Sequence, residues 1–585
     1  MNAYVYGIVI SIAIYVVIGN YAGRKVRHLE DYFVAGRNAP TLLIVGTLVA
    51  SLLSTTAFLG EVGMAYSGYG TLILILVAIN VAGYVGGALF FGRHLRRSRA
   101  LTVPEFFGQR FASHRVQALA GITVIVGLGA YLVAVTQGAA LVITQVSPLP
   151  YGVALPIVWI GYTGFTIYSG SRGVIITDTV MFLLFTIVAF IALAFVVAGA
   201  GGWFATIEAL AVLPSKPGII AWHGVSGPGA LWETHADGLL WGVILGIAWA
   251  VVIAVSPWQA SRYLMARDEH TVIRAACGAG GALLLLYPVL MLCGAAINLG
   301  NPDLEPAETA ILWAARHLMP TTAGVLLVAG VVAAALSSAT TFLSLVGFSA
   351  SHDIVQRDAV DDRTRLRVSR LSMLGIGLAA LPLAWALPPR IVWITYFAAT
   401  VFASSWGPVA FMSVWSRHIT ADGAFWGMIV GLLGNVVPKA LALTGIIHLP
   451  VWADPIIIGT VLSTVTIVLV SRRGTVTEVE RRFRNRLHEL PASEVDVAKF
   501  RRTLLWPNLL IAGGAGLAVL MIVFYALPYG AAVRPGRREL LSGEALLSLG
   551  CGFALIASGL VARLSIRRLG DRDIEREAER EAPTL

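Results

Sequence analysis

The chain has 585 residues, of which 57% are hydrophobic and only 13% are charged, with a formal net charge of +10 at pH 7. A soluble domain carries about a quarter charged residues, so this composition excludes an ordinary soluble protein and predicts a membrane protein. The positive charge does not indicate nucleic-acid binding, because the arginines form short clusters between apolar stretches, as at 93–99. Such clusters are typical of cytoplasmic loops.

Apolar stretches long enough to cross a bilayer recur along the whole chain, since a helix needs ~20 apolar residues to span the hydrocarbon core. Hydropathy predicts fifteen spans, at 4–21, 41–67, 70–92, 116–146, 151–169, 174–200, 237–256, 272–298, 321–351, 368–387, 391–415, 421–446, 451–471, 505–527 and 543–563.

The arginines also predict the orientation of these spans. If the amino terminus is outside, nearly all arginine-rich segments become cytoplasmic, as the positive-inside rule requires. These segments are 24–37, 93–115, 262–274, 357–370, 472–502 and the tail after 563. We therefore expect a multi-pass protein of the cell (inner) membrane with its carboxyl terminus in the cytoplasm, and the lipid bilayer rather than nucleic acid as its surroundings.

The second span contains a run of hydroxyl side chains, Ser51, Ser54, Thr55 and Thr56, followed by Glu61. Serine and threonine compete with helical backbone hydrogen bonds and allow a local break. A broken helix frees carbonyl oxygens, which are good ligands for a hard cation such as Na⁺. The alternative is that these hydroxyls only join neighbouring helices.

A second polar cluster lies in the ninth span, at Ser337, Ser338, Thr340 and Thr341. At 100° per residue these hydroxyls cover about half of the helix circumference, with Ser337 and Thr341 nearly in register. They form either an ion pocket or a helix-packing surface.

Two further features point to polar chemistry within the membrane. Asp178 lies near the inner end of the sixth span, where a carboxylate either caps the helix or supplies the negative charge of a cation site. Trp249 and Pro257 mark an interruption of the seventh span, because an interior proline removes a backbone hydrogen bond. The sequence contains no hydrolase triad, zinc motif or phosphate loop, so a transporter is favoured over an enzyme.

Several short motifs in a fixed order identify a family resemblance. They are Glu-Asp-Tyr-Phe-Val-Ala-Gly-Arg at 30–37, Leu-Thr-Val-Pro-Glu-Phe-Phe at 101–107, Gly-Ser-Arg-Gly-Val at 170–174, Ser-Arg-Tyr-Leu at 261–264, Ala-Ala-Leu-Ser-Ser at 334–338 and Gly-Pro at 407–408. Over about residues 5–472 the chain resembles the sodium/solute symporter family, which includes bacterial proline, pantothenate, acetate and sialic acid symporters and animal sodium/glucose transporters.

The resemblance implies an all-α fold with the five-plus-five inverted repeat of the LeuT type, one extra amino-terminal helix and about four extra carboxyl-terminal helices. The implied regions are 1–40 (extra helix and loop), 41–200 and 237–416 (the two repeats), 417–471 (two additional helices), 472–504 (basic linker), 505–563 (helical hairpin) and 564–585 (charged tail). Substrates of such folds bind near the midplane, against the broken first helix of each repeat.

The resemblance also implies Na⁺ as the coupling ion. The family's common sodium site corresponds to the carbonyls of Ala50, Leu53 and Ala334 and the hydroxyls of Ser337 and Ser338. A second site, which some members have, corresponds to Asp178, Thr340 and Thr341.

Substrate residues are less well defined by the resemblance. The candidates are Thr55, Thr56, Gln137, Trp249 and Pro257. Leu52 stands where proline symporters carry aspartate and Ala57 where sugar transporters carry glutamine, so the identity of the substrate does not carry over. Glu61 either pairs with a cationic substrate or a proton, or lies in water at the outer mouth, and the second interpretation is favoured.

The sequence therefore predicts sodium-coupled symport of a small organic solute by alternating access, with a carboxylate or an amino acid favoured as substrate. One alternative is a proton-coupled carrier of the same fold. Another is a transporter-like sensor that signals to a partner at the cytoplasmic face through 472–504 or the tail.

Overall fold

The computed structural model describes residues 2–24, 26, 28–354, 362–388, 390–489, 497–535 and 541–581. In the first half of this part of the chain the α-helices are α1 (Ala3–Gly23), α2 (Leu29–Val34), α3 (Thr41–Leu52), α4 (Val62–Tyr66), α5 (Gly70–Gly87), α6 (Arg93–Ser98), α7 (Val103–Arg110), α8 (His114–Val146), α9 (Tyr151–Gly199), α10 (Trp203–Ala211), α11 (His235–Val255) and α12 (Pro257–Met265).

The second half is also helical. Its α-helices are α13 (Glu269–Ala296), α14 (Ala310–His317), α15 (Thr321–Phe348), α16 (Asp362–Ala386), α17 (Ile391–Trp415), α18 (Ala421–Leu443), α19 (Pro455–Ser471), α20 (Glu478–Leu487), α21 (Val497–Met521), α22 (Leu527–Val533) and α23 (Gly543–Glu581). Short π-helical segments occupy Thr56–Glu61, Ala88–Gly92, Ser349–Ile354 and Ile522–Ala526.

The helices agree closely with the predicted membrane spans. Twelve helices of the described residues are long and apolar enough to cross a membrane, and thirteen if the bent pair Thr41–Leu52 and Thr56–Tyr66 is one span. Of the fifteen predicted spans, 151–169 and 451–471 do not reach this criterion separately. The exact number of extra helices therefore stays a prediction. Parts of the predicted loop 357–370, the linker 472–504 and the tail lie outside the described residues.

The second predicted span is broken, as the hydroxyl run indicated. Helix α3 ends at Leu52, Leu53 has non-helical backbone angles, and the chain bends by 54° before it continues from Thr56. The Ser54 hydroxyl accepts a hydrogen bond from the Thr56 N–H at 3.0 Å. The side chain thus takes over a donor that would otherwise serve the helix, which is how serine favours a break.

The seventh predicted span is also interrupted, and it continues further than expected. Ser256 has extended backbone angles between α11 and α12, and Pro257 is the first residue of α12. Proline has no N–H and pushes the preceding residue out of the helical region. The prediction that Arg262 belongs to a cytoplasmic loop is wrong, because Arg262 lies within α12 and is only 2% exposed.

The central helix of the bundle is α15, in which 89% of the spanning window is buried, compared with 17% for α1. Helix α15 packs against α3, α8, α9 and α16, while α11 packs against α5 and α17. The carboxyl-terminal helices α21 and α23 pair with each other and contact α5 and α13. The carboxyl-terminal hairpin therefore packs on α5, which follows the first broken span, and on α13, which follows the second.

The family-like motifs contact each other at the arginine-rich end of the bundle. The Ser171 hydroxyl donates to the Phe33 carbonyl at 2.7 Å, and Arg172 forms an ion pair with Asp31 at 3.0 Å. These contacts join the motif at 30–37 to the motif at 170–174.

A second pair of motifs meets at the same end. Thr102 donates to Asp353 at 2.6 Å, and His352 Nε2 lies 3.0 Å from Glu105 Oε2. Burial alone would raise the pKa of the Glu105 carboxyl, but the hydrogen bond and charge of His352, together with hydrogen bonds from the Leu101 N–H and Gln109, outweigh it and hold that pKa below its usual range. Helix α7 is thereby fixed to the end of α15.

Helix α9 changes direction at Gly170, whose φ is +51° and ψ is −153°, a region that only glycine occupies readily. A Cβ atom at this position would lie 2.5 Å from the ring of Tyr32 and 2.6 Å from its carbonyl oxygen. The close approach of Tyr32 and the backbone angles both require glycine here.

We predict that Gly170→Ala lowers the free energy of unfolding by about 1–3 kcal/mol, the usual cost of a residue held in such backbone angles. The measurement is thermal unfolding of the detergent-purified protein. Gly164→Ala is the matched control, since a Cβ there would meet nothing within 4 Å. Equal melting temperatures for the two variants would contradict the prediction.

Candidate functional site

The break after α3 releases the two carbonyls that the resemblance assigned to sodium. In a continuous helix the Ala50 carbonyl would accept from the Ser54 N–H, and the Leu53 carbonyl from the Ala57 N–H. Here the Ser54 N–H donates to the Leu52 carbonyl at 3.0 Å, and the Ala57 N–H donates to the Ser54 carbonyl at 3.1 Å. The carbonyls of Ala50 and Leu53 therefore lose their helical donors in a fully buried position.

The hydroxyls assigned to the same site lie on α15, which packs against α3. Ser337, Ser338 and Ala334 are all fully buried. Among the described residues, the Ser338 hydroxyl oxygen has no hydrogen-bond partner. A buried hydroxyl without a partner is costly, and this one belongs to the helix that packs against the broken α3.

Oxygen atoms of this kind suit a small hard cation. The set of Ala50, Leu53, Ala334, Ser337 and Ser338 supplies three carbonyl and two hydroxyl oxygens without a carboxylate. Neutral oxygens at a helix break are a known way of coordinating sodium within a membrane.

Asp178 is the centre of a network that shares Ser337 with this set. It is fully buried, its Oδ1 accepts from the Ser337 hydroxyl at 2.8 Å, and its Oδ2 accepts from the Thr47 hydroxyl. The alternative that Asp178 caps a helix at the interface is therefore wrong. Instead its carboxylate joins α9 to α3 and α15.

Arg262 provides the positive charge of this network. Its Nη2 lies 3.5 Å from Asp178 Oδ2 and donates to the Thr341 hydroxyl. Thr340, the other hydroxyl of the predicted second sodium site, donates to the Ser337 carbonyl at 2.9 Å. Asp178 and Thr341, two of the three residues assigned to a second sodium site, are thus in contact with the guanidinium of Arg262.

Sequence reasoning missed Arg262 because an arginine near a predicted span end resembles a loop residue. Asp178 was the signal that could have found it, since an intramembrane carboxylate needs a charged or hydrogen-bonding partner.

A small cavity, with a volume of about 10 Å³ and so room for about one water molecule, lies between the two broken helices. Its lining residues come from five separate helices and the π-helical segment after the first break. They are Leu52, Thr56, Ala57, Glu61, Leu76, Asn80, Tyr131, Trp249 and Tyr287.

Only part of the predicted substrate set reaches this cavity. Thr56 and Trp249 line it. The Gln137 amide instead donates to the carbonyls of Ala384 and Leu387, at 3.2 and 2.8 Å, near the end of α16.

The other two candidates are buried nearby but do not belong to the lining. Thr55 packs against Gly138, where an added Cβ would lie 2.6 Å from the threonine side chain. Pro257 starts α12. The sequence analysis missed three cavity-lining residues, Tyr131, Tyr287 and Asn80. A single polar residue in an apolar span has no sequence pattern that shows whether it lines a cavity or packs between helices.

The favoured interpretation of Glu61, a carboxylate in water at the outer mouth, is wrong. Glu61 is 5% exposed. Its two carboxylate oxygens accept hydrogen bonds from the hydroxyls of Tyr287 and Tyr396, both at 2.8 Å. The carboxylate is therefore an internal group that faces the cavity.

The segment that contains these residues matches a known protein family. The model of the sodium:solute symporter family matches residues 32–431. The chain belongs to the sodium:solute symporter family. The resemblance of the sequence motifs is thus confirmed over more than half of the chain.

Curated relatives cover most of the chain. The sodium/pantothenate symporter of Escherichia coli (strain K12) is 26% identical over 459 residues, covering 76% of this chain and 91% of the relative. The sodium/proline symporter of Salmonella typhimurium is 24% identical over 489 residues, covering 78% of this chain and 91% of the relative.

A solved structure confirms the fold. The chain resembles a Na⁺-coupled sialic acid symporter, solved in a substrate-bound outward-open state, with a TM-score of 0.68 at 16% identity. The similarity covers 81% of this chain and 98% of that one. The predicted LeuT-type architecture is therefore confirmed, and the protein is a multi-pass membrane protein. Family and relatives together show sodium-coupled symport of a small solute, with Na⁺ as the coupling ion.

We predict that Arg262 and Asp178 are energetically coupled. Removing one member of a buried ion pair leaves an uncompensated charge and costs about 3–5 kcal/mol. Arg262→Ala and Asp178→Asn should each lower the melting temperature, and the double variant should recover a large part of the loss.

The measurement is a double-mutant cycle on thermal unfolding in detergent. Arg267→Ala is the control, since Arg267 is half-exposed at the same end of the bundle. Additive losses in the double variant would show that the two side chains are not coupled.

Proposed function

We propose that one sodium ion binds between α3 and α15, at the carbonyls of Ala50, Leu53 and Ala334 and the hydroxyls of Ser337 and Ser338. The observation that carries this proposal is the packing of two helices with unsatisfied oxygens: α15 has the buried Ser338 hydroxyl, which lacks a partner among the described residues, and α3 has carbonyls that have lost their helical donors. Sodium supplies the positive charge that this set of partly negative oxygens lacks. Its binding joins the broken helix to the central helix.

The transported solute binds at the cavity between the two helix breaks, against Thr56 and Trp249. The cavity is nearly closed in this structure and widens when the broken helices move to admit the solute. A small carboxylate or an amino acid is the favoured class. Binding of sodium holds α3 against α15 and thereby fixes the shape of the cavity wall that α3 supplies. Alternating access then follows from movement of the broken helices and their neighbours relative to α8, α9 and α15.

A single coupling ion fits the arrangement around Asp178. The guanidinium of Arg262 already neutralises that carboxylate and donates to Thr341, so Asp178, Thr340 and Thr341 do not need a second sodium. One charge moving across 100 mV contributes ~2.3 kcal/mol, which supports a solute gradient of ~50-fold from voltage alone.

The orientation follows from the arginines that surround the motif contacts. The arginine-rich end, with Arg93, Arg96 and Arg97 on or near α6, faces the cytoplasm of the cell (inner) membrane, and the amino terminus lies outside.

We predict sodium-driven accumulation of one solute class in proteoliposomes. The measurement is uptake of labelled amino acids, monocarboxylates and sugars with and without an inward sodium gradient. Accumulation driven by a proton gradient alone would contradict the sodium site.

We also predict that Ser338→Ala raises the sodium concentration for half-maximal effect by about tenfold or more, because a hydrogen-bonding group that contacts a charge contributes about 1.5–3 kcal/mol. The readout is sodium-dependent thermal stabilisation, which needs no knowledge of the solute.

The matched control is Ser344→Ala. It removes one buried hydroxyl from the same helix, but that hydroxyl donates to the Thr340 carbonyl at 2.7 Å. Equal sodium responses in the two variants would contradict the assigned site.

A further inference from the structure

The cavity between the helix breaks is lined by a carboxyl group, that of Glu61, with no cationic side chain among the described residues that line it. Among its lining residues, all of which the structure describes, Glu61 is acidic and none is a lysine, arginine or histidine. The two tyrosine hydroxyls that hold Glu61 satisfy two of the roughly four acceptor positions of a carboxylate. The remaining positions are available to a bound molecule, and a bound cation would stabilise the ionised form of the carboxyl group.

The rest of the lining is rich in aromatic rings. Tyr131, Trp249 and Tyr287 each contribute a side chain to the cavity wall. Tyr396, which holds the other oxygen of Glu61, lies edge-to-face with Trp249 at 5.6 Å between ring centroids. Aromatic faces attract cations through their ring quadrupoles, most strongly when water is excluded. A carboxylate surrounded by aromatic rings is typical of a site that binds a cationic nitrogen.

The hydrogen-bond donors of the cavity are mostly engaged by the protein. The Asn80 amide, oriented to fit its surroundings, donates to the carbonyls of Leu76 and Gly246, both at 3.1 Å. The Thr56 hydroxyl is paired with that of Thr395 at 2.9 Å. The indole Nε1 of Trp249 is buried and has no hydrogen-bond partner within the part of the chain that the structure describes. The cavity thus offers a carboxylate for a cation and one indole N–H for an acceptor oxygen.

We propose that Glu61 is a specificity-determining residue that binds a cationic nitrogen of the solute, so that the transported class is ammonium-bearing, with amino acids preferred over simple carboxylates. The indole N–H of Trp249 binds an oxygen of the same molecule. This inference rests on the proposed symport through this cavity and narrows its substrate class.

The first test uses the wild-type protein and needs no variant to fold. Purified protein in sodium is screened by thermal shift and by proteoliposome uptake against labelled amino acids and amines. Each is paired with its N-acetylated form, which keeps the carbon skeleton but removes the charge. Monocarboxylates and sugars complete the panel. We expect the charged member of one pair to bind at least tenfold more tightly than its neutral partner.

The second test is Glu61→Gln, which preserves the size of the side chain and an oxygen for the tyrosine hydroxyls. We expect it to weaken binding of the charged solute at least tenfold, while sodium-dependent thermal stabilisation without solute stays unchanged. Glu308→Gln is the control, because Glu308 lies in the 3-10 turn Ala307–Thr309 and does not line the cavity.

The outcomes separate this inference from the proposed function. Sodium-driven accumulation of a solute without a cationic nitrogen would overturn the role of Glu61 and leave sodium symport intact. Unchanged affinity of Glu61→Gln for a charged solute would do the same. Failure of sodium both to stabilise the protein and to drive accumulation of any panel member would overturn the proposed function, and this inference with it.

Discussion

The structure depends on where backbone hydrogen bonds go when a helix is interrupted inside an apolar bundle. No water is present in the hydrocarbon region to satisfy a freed carbonyl, so a break is tolerated only where other groups or a ligand satisfy it. At the first break the N–H groups of Ser54 and Ala57 are redirected to nearer carbonyls, and at the second break Pro257 has no N–H to donate. These two breaks create the polar positions around which the sodium set and the cavity are built.

Buried charge is the second constraint, and the protein handles it in two different ways. Asp178 is compensated within the protein by Arg262 and by the hydroxyls of Thr47 and Ser337. Glu61 receives hydrogen bonds from two tyrosines but no cation of the cavity wall. Unpaired charge in a membrane is expensive. The carboxylate of Asp178 therefore holds helices together, whereas we propose that the carboxylate of Glu61 faces the transported molecule.

Much of the fold was predictable from sequence because membrane spans and their interruptions leave local signals. The hydroxyl run at 51–56 and Pro257 located both breaks, and the family-like motifs gave the architecture. Pairings between distant helices left no such signal. The sequence placed Arg262 in a loop and Glu61 in water at the outer mouth, but both side chains are buried. It placed Gln137 in the substrate site, but this side chain holds the end of α16. In each case the deciding fact was which side chain or backbone group from another part of the chain lies opposite.

The central claim is that sodium binds where α3 is broken, against Ser338 of α15. Binding of radioactive ²²Na⁺ to the purified protein, compared between wild type and Ser338→Ala, tests it most directly. The account predicts saturable binding by the wild-type protein and a loss of affinity of at least about tenfold in the variant, since the hydroxyl contacts the ion itself. Identical sodium binding by the two proteins would contradict the account and place the coupling ion elsewhere.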